Sequence, residues 1–179
     1  MKILDIGCGN NKKHPDAVGI DFSSDSNAEI IHNLNIFPYP FGDNEFDLVY
    51  MVSILEHLDN IFKVMEEVWR ITKNGGKIII FGPTRFSSAL YDDPEHKRAF
   101  TLKSFDYFIE GTKSYRYKKS KVCFSKIKSE YQMEWNKKNY SLYERCVLWW
   151  ANKHPVFYTK HMESICPVQR VYFELQVVK

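Results

Sequence analysis

Near its N-terminus the chain reads Leu4-Asp5-Ile6-Gly7-Cys8-Gly9. The apolar residues before the first glycine predict a buried strand, and the two glycines predict a tight turn directly after it. Because neither glycine carries a Cβ, a ligand can also lie against this backbone. A G-x-G turn is equally typical of an ordinary tight loop, so its meaning depends on the residues after it.

Four further apolar runs come after this turn, and each ends at a polar or turn-forming residue. They cover residues 17–22, 29–34, 46–53 and 77–81. A helix with Asp59 as its N-cap is predicted between the last two. Strands that alternate with connecting segments in this way predict a mainly parallel sheet with helices on its faces. Ligands of such sheets bind beyond the carboxyl ends of the strands.

The second half of the chain is less regular. We predict a helix at residues 101–109, a long strand at 122–135 and a terminal strand at 171–178. The part from residue 140 to 167 is the least regular, and it is the richest in Trp, Tyr, His and Cys. A length of 179 residues fits a single domain. Within that domain we expect residues 84–121 and 136–168 to be insertions on the substrate side.

Composition excludes some classes of protein. No run approaches the ~20 apolar residues of a membrane span, and an acid at residue 5 interrupts any signal-peptide pattern. The four cysteines form no metal-binding pair, so we expect free thiols, a cytoplasmic protein and no metal site.

Charge is distributed unevenly along the chain. Residues 1–85 hold 8 basic and 12 acidic residues, whereas residues 86–179 hold 17 and 10. The densest basic stretch is Lys113–Lys128, in which aromatic residues are interleaved. This pattern fits either a polyanion-binding surface or a solvated loop.

The spacing after the glycine turn argues against a dinucleotide. A dinucleotide fingerprint needs a third glycine, where this chain has Lys12, and a helix before an acid about 20 residues further on. Here Asp21 comes after Gly7 by only 14 residues, which leaves little room for that helix. The Asp21 carboxylate can still accept hydrogen bonds from the two hydroxyls of a ribose.

At this point the sequence resembles the class I S-adenosylmethionine-dependent methyltransferases, and within them the type 11 group. The motifs that carry the resemblance occur in order as Leu4–Gly9, Gly19–Asp21, Phe41–Asp47, Leu55–Leu58 and Arg70–Gly76. The resemblance covers residues 2–84 closely, with a weaker echo at 93–101. It implies an α/β, Rossmann-like three-layer fold whose mostly parallel seven-stranded sheet has an antiparallel last strand. The helices after the first two strands are expected to be shortened.

The resemblance also implies how S-adenosylmethionine is held. Asp5, Gly7 and Gly9 match the motif around the methionine part of the cofactor. Asp21 matches the acid that binds the ribose. Asn33 takes a place where the family usually has an aspartate that contacts the adenine amino group, and an amide oxygen can make the same contact.

Four more positions complete this expected cofactor site. Leu34 would pack on the adenine, while Met51, Val52 and Ser53 end a strand and would line the methyl-transfer pocket. Because the two shortened helices leave one sheet face under-covered, we expect either residues 140–167 or a second subunit in a homodimer to cover it.

The resemblance makes methyl transfer the expected activity, with a small molecule as the acceptor. A base is needed only if the acceptor loses a proton, and the candidates are His96 and His57. A nucleic-acid acceptor is disfavoured, because no Asn/Asp-Pro-Pro-Tyr type motif comes after the fifth strand. Three alternatives remain open: an inactive cofactor-binding or scaffold protein, an RNA methyltransferase and a nucleotide-dependent oxidoreductase.

Overall fold

A computed structural model describes residues 1–117, 120–135 and 140–179. Its centre is one seven-stranded sheet with the order β3-β2-β1-β4-β5-β7-β6. The strands are β1 (Ile3–Ile6), β2 (Ala17–Asp21), β3 (Ile30–Ile31), β4 (Phe46–Val52), β5 (Thr72–Pro83), β6 (Cys123–Gln132) and β7 (Arg170–Val178). Only β7 runs against its neighbours, so the predicted mostly parallel sheet with an antiparallel last strand is confirmed.

The helices are few and lie mostly in the second half of the chain. They are α1 (Ile61–Ile71), α2 (Ser88–Tyr91), α3 (Leu142–Lys153) and α4 (Pro155–Phe157), with short 3₁₀ turns at Asp106–Phe108 and Ser114–Tyr117 and a π turn at Tyr158–Met162. The segments that join β1 to β2 and β2 to β3 contain no helix, as predicted. Among the described residues, no helix combines the length and apolar character needed to cross a bilayer.

Helix α1 forms because four apolar residues recur at helical spacing and become buried against the sheet, namely Val64, Met65, Val68 and Ile71. Its N-cap is Asn60, whose side chain accepts a hydrogen bond from the Lys63 amide at 3.1 Å. The predicted N-cap, Asp59, lies one residue before the observed one, so that prediction was wrong. Its carboxylate instead pairs with Lys97 at 2.5 Å.

The predicted helix at residues 101–109 is also wrong. Thr101 is not a helix cap there, and only a short 3₁₀ turn forms, from Asp106 to Phe108. The rings of Phe105 and Phe108 are both buried, and Phe105 lies 4.8 Å from Phe173 between ring centroids. Residues three apart point the same way in a 3₁₀ turn, so this turn places both rings in the core.

Residues 140–167 are more regular than expected, because they contain α3. A capping box begins this helix: Ser141 accepts from the Glu144 amide, and the Glu144 carboxylate accepts from the Ser141 amide at 2.7 Å. The segment packs at the β6 edge, where Tyr131 and Tyr158 lie 5.1 Å apart between ring centroids. The pairing of β6 with β7 puts Tyr131 on the sheet face that carries Phe173.

The opposite sheet face is covered thinly. Tyr50 and Phe81 lie on this face, and Trp135 meets them with ring centroids at 6.3 and 5.4 Å. Trp135 itself remains 39% exposed. Residues 140–167 pack at the β6 edge and do not cover this face. Because the first two helices are shortened, the face is covered mainly by Trp135 and by loops.

Candidate functional site

The glycine loop, residues 7–9, turns sharply at the carboxyl end of β1. Gly7 and Gly9 have φ angles of +71° and +52°, which side chains rarely tolerate. The Gly7 amide donates to the Ile20 carbonyl at 2.8 Å, so the loop is tied to β2. A Cβ on Gly7 would meet the Ile54 side chain at 2.4 Å, whereas a Cβ on Gly9 would enter open space. The loop therefore presents bare backbone to open space at Gly9, where β1 and β2 end.

Asp21 ends β2 and fixes the loops on either side of it. One carboxylate oxygen accepts from the Gly9 amide at 2.8 Å and the other from the Ser23 amide at 3.0 Å. The residue is buried. Because each carboxylate oxygen has two lone pairs, each can accept one further hydrogen bond from a ligand hydroxyl.

Asp5 lies inside β1 and is almost fully buried. One oxygen accepts from the Lys13 amide at 2.6 Å, while the other has no hydrogen-bond partner among the described residues. Burial raises the pKa of this carboxyl, and the nearby Lys13 amide and ammonium group act in the opposite direction. The unpartnered oxygen is free to accept from a cationic or N–H group of a ligand.

The expected adenine end is more open. Asn33 is exposed, and its amide oxygen accepts from the Asn35 amide at 3.0 Å, while Leu34 is buried. Sequence reasoning missed Phe22, which comes directly after Asp21 and is 68% exposed. A large apolar ring beside the acid that is expected to bind the ribose was the available signal, because rings of this size are usually buried.

The end of β4 lies between the two halves of the site. Met51 is fully buried in the core, Val52 is buried on the opposite face, and Ser53 is half-buried with φ +54°. The Ser53 amide donates to the Phe81 carbonyl at 2.8 Å. Of these three residues, Ser53 has the largest exposed fraction at the crevice.

A second group of polar side chains lies after β4 and β5. The loop after β4 carries Glu56 and His57, and the loop after β5 carries His96. Lys97 holds the two loops together by donating its amide to the Glu56 carbonyl at 2.8 Å. The Arg98 guanidinium adds hydrogen bonds to the carbonyls that cap the turn, those of Leu55, Leu58 and Asp59.

Glu56 is fully buried, and neither carboxylate oxygen has a hydrogen-bond partner among the described residues. Arg170 Nη1 lies 3.8 Å and His96 Nε2 lies 4.0 Å from its Oε1 atom. Burial raises the pKa of this carboxyl. Neither separation is a hydrogen bond, so the carboxylate lies among potential partners without bonding to any of them.

The two histidine candidates lie side by side, with ring centroids 4.5 Å apart. Burial, and then the neighbouring His96, lower the pKa of His57. The His96 side chain is only 8% exposed, and its Nε2 also lies 3.9 Å from Asp93. The structure thus brings His57 and His96 together with Glu56 and Arg170, neither of which was a sequence candidate.

Two lysines of the basic stretch form ion pairs in the structure. Lys126 pairs with Asp106 at 2.6 Å and Lys128 pairs with Glu130 at 3.0 Å. Lys118 and Lys119 lie outside the described residues.

Comparisons with known proteins find relatives of the first part of the chain. A family model described as a methyltransferase domain matches residues 4–80. A Methanocaldococcus jannaschii protein is 38% identical over 88 residues, which are 44% of this chain and 39% of that protein. The sterol 4-C-methyltransferase of Caenorhabditis elegans is 35% identical over 68 residues, 38% of this chain and 20% of that enzyme. The match thus spans less than half of either relative.

The fold comparison covers nearly the whole chain. A crystal structure of a SAM-dependent methyltransferase from Archaeoglobus fulgidus superposes with a TM-score of 0.63 at 18% identity, over 98% of this chain and 85% of that one. Its fold is therefore shared beyond the segment that the family model matches. We conclude that residues 4–80 match the methyltransferase-domain family and that the chain has the fold of the Archaeoglobus fulgidus protein.

Proposed function

We propose that this chain transfers a methyl group from S-adenosylmethionine to a small-molecule acceptor. The observation that carries the proposal is the crevice at the carboxyl ends of β1 and β2, where bare glycine backbone lies beside two buried acids. The match of residues 4–80 to the methyltransferase domain supports the choice of cofactor, and the C. elegans relative, a sterol methyltransferase, supports a small acceptor.

The residues present fit this cofactor. The unpartnered oxygen of Asp5 can accept from its ammonium group, and Asp21 can accept from the ribose hydroxyls. The open space above Gly9 leaves room for a bulky group against the backbone. Asn33 and Leu34 would bind the adenine edge and face, and Phe22 would pack on the other side.

The cofactor supplies an activated methyl group on sulfur, so the chain's contribution is to bind, orient and exclude water. Ser53 lies at the turn where the acceptor would approach, and Met51 and Val52 support that turn from within the sheet. If the acceptor must lose a proton, His96 or His57 is the nearest described group after β4 and β5 that could take it.

A groove of about 690 Å³ lies on the β6 side of the sheet, and its lining includes no residue of the site at β1, β2 and β4. It is lined by residues of both expected insertions, 84–121 and 136–168, and by β6. Arg85, Leu102, Tyr131, Val156 and Thr159 are among the lining residues. This volume is typical of small-molecule sites. Paired lysines on the described part of the basic stretch make RNA the weaker alternative.

Two further expectations belong to the proposal. A homodimer would cover the thin sheet face at Tyr50, Phe81 and Trp135, which multi-angle light scattering would detect. A cytoplasmic location fits the free state of all four cysteines.

Calorimetry with S-adenosylmethionine, S-adenosylhomocysteine and NAD tests the cofactor assignment. We expect the first two ligands to bind with one site per chain and NAD not to bind. Transfer of labelled methyl to a panel of small metabolites, sterols and RNA then tests the acceptor class. NAD binding alone would favour an oxidoreductase, and tight binding without transfer to any acceptor would favour the inactive scaffold.

A further inference from the structure

The cluster of Glu56, His57 and His96 has a composition that metal ions favour. One ligand atom from each of these side chains can be chosen such that all three lie within 4.8 Å of one another. Two imidazoles and a carboxylate are the ligands that Zn²⁺ and related ions prefer. We propose that this cluster binds a divalent first-row transition-metal ion or Zn²⁺, with Asp93 as a fourth ligand at its rim.

The buried atoms of the cluster lack partners, which is the main reason for this proposal. Both oxygens of Glu56 and Nδ1 of His96 are buried with no hydrogen-bond partner among the described residues. Leaving such groups unsatisfied costs about 1–3 kcal/mol each, and more for a charged group. A cation beside Glu56 would satisfy its carboxylate, and the His96 nitrogen that faces this carboxylate is Nε2 rather than the unpartnered Nδ1.

The separations suit a cation better than a direct contact. His96 Nε2 lies 4.0 Å from Glu56 Oε1 and 3.9 Å from Asp93 Oδ2, and both are too long for hydrogen bonds. Ligands about 2.1 Å from one ion lie about 3.0–3.6 Å apart, so a contraction of about 0.5 Å is enough. The bonds of Lys97 and Arg98 between the two loops hold the ligands near these positions.

The charges around the cluster balance a divalent ion. Glu56 and Asp93 supply two negative charges, and Glu95 forms a second group with His57 and Asp93 at the rim. Arg170 opposes the ion, because its guanidinium lies 3.8 Å from Glu56 Oε1. The His96 approach is to this same oxygen, so the ion and the guanidinium compete for Glu56 Oε1.

This inference revises the expectation that the chain has no metal site. The ligands come from two loops that are about 40 residues apart, so no short motif displays them. The site lies at the carboxyl edge of the sheet, next to where the acceptor is proposed to bind. Metal binding is measured without S-adenosylmethionine, so it can fail or succeed independently of the proposed methyl transfer.

The test is a titration of the chelator-treated, full-length protein with Co²⁺, monitored by visible absorption, and then displacement with Zn²⁺. We expect one Co²⁺ per chain, with d–d bands that Zn²⁺ removes. Glu56→Gln and His96→Gln should each weaken binding by at least about tenfold. His14→Gln is the matched control, because His14 Nδ1 also lies 3.9 Å from an aspartate, Asp16, but on the surface.

Arg170→Gln separates a cation site from a simple ion pair. It should tighten Co²⁺ binding, because it removes the competing positive charge. Circular dichroism shows whether each variant is folded, and His57→Asn replaces any that is not. The proposal is overturned if wild type binds no Co²⁺, or if folded cluster variants bind it as tightly as wild type.

Discussion

The carboxyl edge of the sheet carries two polar sites that are built in opposite ways. At the end of β1 and β2, the acids are bound by backbone amides: Asp21 accepts two, and Asp5 accepts one. After β4 and β5, Glu56 is equally buried but accepts no hydrogen bond from any described residue. The first site is complete except for one oxygen of Asp5, whereas the second is a set of buried groups without partners.

The difference shows how each site relates to its ligand. A carboxylate held by backbone amides is fixed in position, so it can recognise a ligand without rearrangement. A buried carboxylate without hydrogen bonds destabilises the fold until a ligand satisfies it. We therefore expect changes in the first site to weaken cofactor binding and changes in the second to alter stability and metal binding.

Asp21→Ala, in the first site, should have the largest effect on cofactor affinity. It removes the ribose acceptor and both amide bonds that close the loops, so we expect S-adenosylmethionine binding to weaken by about 100-fold, or about 2.8 kcal/mol. Isothermal calorimetry measures this. Asp25→Ala, an exposed acid four residues further on, should bind normally. Equal losses in both variants would mean that the Asp21 carboxylate is not special.

Gly9→Ala comes next, with an expected tenfold weakening of cofactor binding. Its Cβ would enter the open space in which the cofactor is proposed to lie. Gly111→Ala is the matched control, because Gly111 also has a positive φ, +84°, and open space around it. Both variants should lose about 1 kcal/mol of stability from backbone strain. Only the first should lose affinity, and a similar loss in both would contradict the proposed crevice.

In the second site, an apolar replacement of both charges should stabilise the metal-free protein. We expect Glu56→Leu combined with Arg170→Met to gain about 1 kcal/mol in unfolding free energy, because two poorly bonded buried charges disappear. A rise in Tm of about 2–4 °C corresponds to that gain. Glu56→Leu alone should instead lower Tm, since it leaves Arg170 buried without its counter-charge. A double variant less stable than either single one would show that the pair is already well satisfied.

The smallest effect concerns Cys8 within the glycine loop. Burial, reinforced by Asp5 and Asp21, raises the pKa of its thiol to about 11. A raised pKa lowers the thiolate fraction at pH 8 by about 100-fold relative to a thiol of pKa 9.0. Mass spectrometry after brief alkylation at pH 8 should therefore find the exposed Cys146 labelled before Cys8. Preferential labelling of Cys8 would show that the loop opens readily.

Strands were largely predictable because each is a short apolar run that ends in a turn signal. Residues 2–6, 122–135 and 171–178 were expected as strands, and β1, β6 and β7 lie within or next to them. The missing helices after β1 and β2 were predictable from the short spacing between Gly7 and Asp21. Local pattern and chain length determine these features, so one sequence is enough to predict them.

Other features depend on contacts between distant residues. The 3₁₀ turn at Asp106–Phe108 buries the rings of Phe105 and Phe108 against the sheet. No local sequence pattern indicates this packing. Helix α3 was missed although Ser141 and Glu144 show the S-x-x-E spacing of a capping box. The placement of Glu56 beside Arg170 joins β4 to the last strand, so the sequence could identify the histidines but not their neighbours.

The hydrogen bond from Gly7 to Ile20 has a kinetic consequence. It fixes the glycine loop before any cofactor binds, so association requires no ordering of the loop. The association rate of the cofactor should therefore vary little among variants of this site. Differences in affinity would then appear mainly as differences in how long the cofactor stays bound.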